Sequence, residues 1–239
     1  MQIIQITPAI WQLPFPVGHV HVVRLSDGYA LIDTGMPGSA PAVLEALDQI
    51  GARPEQVRQI ILTHSHTDHV GSAADLVEAT GAQVLAGALD APFIRGTIPE
   101  PDSVLSASER ALHEQITAGW SEAKVPPVKR VQVDTELGEG DALADWAEPV
   151  RVLHVPGHTP GSIALHLDSS SVLFSGDIIA TVEGRPILGP FNVDREEAVA
   201  SFRRLAALDV ETVCVPHGEP LLKDAAERLQ AATPEYDWL

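Results

Sequence analysis

The near-continuous apolar stretch from Val57 to Leu62 reads as a buried strand. Upstream, residues 2–6, His19–Leu25 and Tyr29–Ile32 read as strands, with Ser26-Asp27-Gly28 supplying hairpin chemistry between the last two. Trp11–Gly18 reads as a loop containing Pro and aromatic residues. From Gly38 to Ile50 the period changes: Val43, Leu44, Leu47 and Ile50 share one side of a helix, which Gly51 ends. Val70, Ala73, Ala74 and Val77 predict another helix to Thr80, followed by a short strand over Gln83–Ala86.

Residues 87–129 lose clear periodicity. Pro92, Pro99, Pro101, Pro126 and Pro127 interrupt them, around one helical stretch at Ser106–Trp120. Such an insert forms either a pocket wall or lid, or plain surface packing. Short strands are then expected at Arg130–Asp134, Val150–Val155, Ile163–Leu167 and Val172–Ser175. A helix over Asp194–Leu208 has Asp194 as N-cap and Glu197 at the capping-box position. Val213–Val215 and Pro220–Ala232 read as the last strand and helix. Strands then helix, roughly twice over, without repeat or linker, predict one α/β domain over 1–239: two half-sheets with helices outside.

Composition adds exclusions. Thirty-three acidic residues against fifteen Lys and Arg give a formal charge of −18. Phosphate-backbone binding usually needs a basic face, so no nucleic-acid partner is expected. Cys214 is the only cysteine, so no disulfide forms within a chain. It reads as a core residue in a strand. No basic and apolar leader and no run of about 18 apolar residues is visible. The expectation is a cytoplasmic protein without a membrane partner, acting on a small molecule.

The chemistry concentrates after the Val57–Leu62 run. His64, His66, Asp68 and His69 follow within six residues. In an extended segment His64 and His66 share a face and reach one ion, whereas on a helix they would sit about 200° apart. The segment therefore reads as a strand end and loop, with Asp68 and His69 turning toward a second point. His158, Asp177 and His217 each follow a β-type run beside Gly or Pro, where a rigid sheet presents a side chain from a loop.

These motifs carry a resemblance. His64-Ser65-His66-Thr67-Asp68-His69, Gly157-His158-Thr159-Pro160-Gly161, Ser175-Gly176-Asp177 and Pro216-His217-Gly218 resemble those of the metallo-β-lactamase-fold hydrolases, and Asp33-Thr34-Gly35 is similar to their early Asp-Thr-Gly element. The resemblance spans about residues 20–218 in the family's order. It implies a four-layer αβ/βα sandwich with metals at one edge of the sheets. It implies His64, His66 and His158 for one metal, Asp68, His69 and His217 for a second, and Asp177 bridging both. Two divalent ions are expected: zinc suits these ligands, and iron and manganese accept them too. A bridging hydroxide would attack a carbonyl or phosphoryl centre, with Asp68 orienting it and carrying a proton to the leaving group. Asp33 would either brace the ligand loop or cap the following helix.

Departures narrow the substrate. His69 and Asp177 resemble the glyoxalase II and lactonase side of the family. No long segment follows His217, where glyoxalase II carries much of its glutathione site. Ile178-Ile179-Ala180 replaces the tyrosine that acyl-homoserine lactonases carry after the bridging aspartate. The expected enzyme is a dinuclear hydrolase of a small ester, thioester or lactone. The alternatives are a mononuclear iron enzyme like the persulfide dioxygenases, a β-lactam or phosphodiester hydrolase, or a non-enzymatic scaffold. Phe15, Trp120, Ile187 and Phe191 are candidate pocket walls, and Arg185 a candidate anion contact. His19 and His21 are candidates for the pocket border, while His113, His154 and His166 carry no motif.

Overall fold

The structure is a computed structural model, and it describes residues 1–236. β1 (Ile4–Thr7), β2 (Ile10–Leu13), β3 (Val20–Arg24) and β4 (Tyr29–Ile32) form an antiparallel meander. Helix α1 (Ala40–Gln49) then crosses to β5 (Val57–Leu62), and α2 (Thr67–Val70) and α3 (Ala73–Thr80) cross to β6 (Gln83–Gly87). β4, β5 and β6 pair in parallel, the pairing that helical crossovers produce. α4 (Ala91–Arg95) and α5 (Ala107–Glu122) precede β7 (Thr135–Leu137), which completes a sheet ordered β1 to β7.

The second sheet begins with β8 (Val150–His154), β9 (Ile163–Leu167) and β10 (Val172–Phe174). A separate hairpin of β11 (Ile179–Val182) and β12 (Arg185–Leu188) follows, then α6 (Arg195–Ala206), β13 (Thr212–Cys214) and α7 (Ala225–Ala231). The order is β13-β10-β9-β8, with β13 parallel to β10.

Alternation along the strands generates the layers. On β5, Ile60 and Leu62 face α1 and α3 with Leu31, Val43, Leu47 and Leu76. Ile61 points the other way and joins Ile32, Val152, Leu165 and Phe174 between the two sheets. On the far side Leu173 and Val213 meet Phe202, Leu205 and Leu229 of α6 and α7. A period of two on strands buried on both faces thus gives helix, sheet, sheet, helix: a four-layer αβ/βα sandwich. No described helix is long and apolar enough to cross a membrane.

Some boundaries differ from expectation. Ile10–Leu13 is a strand paired with β3, so the loop begins at Pro14, which has no N–H to give a ladder. The strand expected at Arg130–Asp134 is absent; β7 starts at Thr135. Val131 and Val133 still face the core; Asp134 gives its backbone N–H to Val84 O (2.8 Å), but its carboxylate takes the Val84 N–H (2.8 Å) that a ladder carbonyl would take, and strand pairing begins at Thr135. The β11–β12 hairpin was not legible because its turn is Glu183-Gly184, both at positive φ, rather than an Asn-Gly or Asp-Gly pair. Asp68 and His69 lie in the short helix α2 rather than in a loop.

Candidate metal centre

The site forms where several strand ends meet. β5 ends at Leu62, so Thr63, His64 and His66 emerge at its C-terminal edge. β4 delivers Asp33 beside them, the β8–β9 turn delivers His158, the segment after β10 delivers Asp177, and the segment after β13 delivers His217.

Two groups of ligand-type atoms result. His158 Nε2 lies 3.2 Å from His64 Nε2 and 2.9 Å from His66 Nδ1. Asp68 Oδ2 lies 3.4 Å from His69 Nε2 and 3.2 Å from His217 Nε2. Asp177 stands between them: Oδ2 is 3.4 Å from His158 Nε2 and 3.2 Å from His217 Nε2, and Oδ1 is 3.3 Å from His69 Nε2. The seven residues singled out from sequence therefore converge.

The surrounding hydrogen bonds set the ring tautomers. Asp33 Oδ1 accepts from Thr63 N (2.8 Å), and Oδ2 accepts from Thr63 Oγ1 (2.8 Å) and from His69 Nδ1 (2.9 Å). His69 Nε2 therefore faces the site and is the nitrogen that a metal would take once its proton has left. The Thr63 hydroxyl proton is committed to Asp33, so Thr63 Oγ1 accepts from His64 Nδ1 (3.1 Å), and His64 Nε2 is bare. Asp33 sits at φ +60°, a region costing a non-glycine residue roughly 1–3 kcal/mol. Ser39, not Asp33, occupies the N-cap of α1.

Asp90, at the start of α4, is a residue without a sequence signal of its own. It is buried and accepts from Ser65 N (2.9 Å), Thr159 Oγ1 (2.7 Å) and Gly161 N (2.7 Å). One carboxylate thus ties the His64–His66 segment to the His158 turn. The approach requires glycine at 161: a Cβ there would lie 2.2 Å from Asp90 N. The only trace in sequence is an Asp before Ala91-Pro92, which reads as an ordinary helix start.

The electrostatics fit a cation. Burial pulls His64 well below its ordinary value, pulls His66 down to about 3, and lowers His158. These rings are held neutral, the state in which imidazole ligates. Burial would raise Asp68 and Asp177, but His69 and His217 outweigh it and keep both carboxylates well below the usual range. Burial likewise opposes the charging of His217, yet Asp177 and Asp68 push it up to about 10, and His69 is raised in the same way. Protons on His69 and His217 thus balance the two acids where divalent cations would. Buried His69 Nε2 and Asp177 Oδ1 have no well-formed hydrogen bond. An open ligand set of this kind suits a metal.

A cavity of about 600 Å³ opens onto the cluster and includes His66, Asp68, His158, Asp177 and His217 in its wall. Trp120, Ile187 and Phe191 line it, and the segment 100–103 and α5 supply one side. Phe15 packs against the core beneath the first sheet instead. His113, which carried no motif, lines the cavity and meets Phe191 edge-on, with ring centroids 5.4 Å apart. Arg185 is exposed on β12 and is not in the wall. His19 is not in the wall either, and holds the His217 segment through Gly218 O (3.0 Å). His21 is buried against Phe174. Cys214 is buried between the sheets.

The profile of the metallo-β-lactamase superfamily matches residues 13–217. The chain belongs to that superfamily. A probable metallo-hydrolase, YflN, of Bacillus subtilis is 29% identical over 87% of this chain and 83% of its own length. A hydroxyacylglutathione hydrolase of Cereibacter sphaeroides is 35% identical over 84% of this chain and 67% of its own. Among solved structures, the subclass B3 metallo-β-lactamase BJP-1 of Bradyrhizobium japonicum superposes with a TM-score of 0.71 at 22% identity, covering 96% of this chain and 89% of that one. That likeness is one of fold. Superfamily membership together with the His and Asp groups makes the protein a metal-dependent hydrolase.

Proposed function

We propose that the protein hydrolyses a small ester, thioester or lactone with two divalent cations, zinc being the ion its ligands suit best. His64, His66 and His158 would hold one, Asp68, His69 and His217 the other, and Asp177 would serve both. The observation that carries this reading is the position of Asp177, within 3.4 Å of His158 Nε2 and 3.2 Å of His217 Nε2. Bound cations would supply an acidified water and polarise the substrate carbonyl.

The chain's own residues do the rest. Asp68 and Asp177 both line the cavity, and Asp68 is the more exposed of the two, so it is the acid placed to meet substrate as well as ligands. It orients the attacking water and accepts its proton. The water oxygen bonds to the carbonyl carbon, the carbon–oxygen or carbon–sulfur bond breaks, and Asp68 returns the proton to the leaving group. Asp33 and Thr63 hold His64 and His69 with Nε2 inward. The hydroxyacylglutathione hydrolase relatives support thioester chemistry, while the chain spans 67% of that relative's length.

The test is metal analysis of protein purified without added metal, with a panel of thioesters, lactones, β-lactams and phosphodiesters. Two zinc per chain and turnover of acyl substrates support the reading. One iron per chain with oxygen consumption, or turnover confined to phosphodiesters, overturns it.

A further inference from the structure

The cavity wall divides by charge. Its floor holds the His and Asp ligand set, where two divalent cations would outweigh the single charges of Asp68 and Asp177. The remaining wall contains Glu100 and Asp102 and no Lys or Arg. The cation that acts on Glu100, Arg130, is bonded to the Phe93 carbonyl (3.0 Å) and lies outside the wall. Both acids keep solvent exposure at the wall, and partial burial raises the Glu100 carboxyl above its ordinary value.

Aromatic side chains accompany the acids. Trp120 of α5 and Phe191 line the same cavity. Phe191 is held with care: its φ is +66°, its N–H is accepted by Glu109 Oε1 (3.1 Å), and His113 packs edge-on against its ring. A bulky residue at positive φ is a true outlier, and such strain clusters where a ligand is clamped. The Glu109 carboxylate that fixes it is itself buried on a helix that is otherwise largely exposed.

We propose that the cavity selects a cationic substrate: an ester or thioester whose apolar arm carries an ammonium group, recognised by Glu100, Asp102, Trp120 and Phe191. The inference rests on the acyl-hydrolase reading. A substituted ammonium gains from carboxylates by charge and from aromatic faces by cation–π attraction. Its carbonyl end meets the positive floor while its charged end meets the negative wall. A substrate with a carboxylate on the same arm meets like charge without a compensating Lys or Arg.

The experiment uses three thioesters of one acyl group on the metal-loaded protein: butyrylthiocholine, S-butyryl-N-acetylcysteamine and S-butyryl-3-mercaptopropionate. The expected kcat/KM falls in that order, with the cation favoured over the anion by about tenfold or more. Glu100→Gln with Asp102→Asn brings the cation-to-anion ratio toward unity. Trp120→Leu lowers it by weakening the cation alone. Raising salt from about 0.05 to about 0.5 M shrinks the wild-type ratio, a readout that needs no variant. An anion turned over as well as the cation by the wild type overturns the proposal, and so does a ratio insensitive both to salt and to the double variant. Failure of all three thioesters and of the lactone panel counts against the acyl-hydrolase reading instead. The charge preference is then read by calorimetric binding of the same three compounds: tightest binding of the cation supports it, and equal or tighter binding of the anion overturns it.

Discussion

Asp90 offers the sharpest test of how the ligand set is held. Its carboxylate takes three hydrogen bonds, from Ser65 N, Thr159 Oγ1 and Gly161 N, at 2.7–2.9 Å. Hydrogen bonds to a charged acceptor contribute roughly 1.5–3 kcal/mol each. Asp90→Asn keeps the shape but turns one acceptor into a donor that faces donors. The loss is offset in part, because burial raises the Asp90 carboxyl and its charge is itself a cost at neutral pH. That contribution is most favourable below the ordinary carboxylate range and is lost as pH rises through the raised value. The net expectation is a destabilisation of about 2–4 kcal/mol, or a Tm lower by roughly 4–16 °C for a chain of this size. The distinguishing readout is metal affinity. Asp90 joins the His64–His66 segment to the His158 turn, so zinc bound there should weaken about 10–100-fold, the usual cost of losing such support. Thermal unfolding with and without chelator gives the first number, and competition against a chromophoric chelator gives the second. A variant with a Tm within about 2 °C of wild type and zinc affinity within about twofold would refute the reasoning, since both fall below the smallest effects expected.

The other expectations are shorter. Asp68→Asn should cut turnover well over tenfold, given the usual 10²–10⁴-fold size of proton-transfer contributions; wild-type turnover with full metal would show that Asp68 moves no proton. Asp33→Ala frees His69 Nδ1 and Thr63 together, so zinc affinity should fall by about 10–100-fold, and an unchanged zinc titration would count against the tautomer assignment. Zinc uptake must displace protons from His69 and His217, both raised in the ion-free protein and His217 to about 10. Apparent affinity should therefore weaken as pH falls below that value, by up to about tenfold per unit for each proton displaced; weakly buffered calorimetry that detects no proton release would exclude this. Phe202→Ala empties a fully buried position under the second sheet and should cost about 3–5 kcal/mol in denaturant unfolding, whereas a loss under about 1 kcal/mol would mean that the layer repacks.

The layers were legible through periodicity, which also placed His64 and His66, while the full ligand set came from the resemblance of the motifs to those of the metallo-β-lactamase-fold hydrolases. Val57–Leu62 is buried at five of its six positions. A strand enclosed on both faces must be apolar almost throughout, so the polar cluster after it could only stand at a sheet edge. His64 and His66 alternate out of that strand and reach His158 together, as a period of two requires. Asp68 and His69 escape that logic because α2 turns them, and the turn is made by backbone bonds from His69 N and Val70 N to His66 O, which no side-chain pattern announces.

Asp90 was illegible, and the substrate cavity legible only as segments and a few wall residues, for the converse reason. Asp90 works through contacts to Ser65 and to Thr159 and Gly161, far away in sequence. Those partners are backbone N–H groups and a hydroxyl, which any sequence supplies in abundance. The cavity wall draws on residues 100–103, α5 and the β11–β12 hairpin. α5 buries only Glu109 among its residues, and the hairpin forms its own small sheet. Elements that do not pack into a layer carry no core periodicity, so their side chains are free to be chosen by what they contact in the cavity. The cavity wall is therefore written where the hydrophobic pattern is silent: Trp120, Ile187 and Phe191 were readable as candidate wall residues from their place in those segments, whereas Glu100 and Asp102 become readable only once the wall is closed around them.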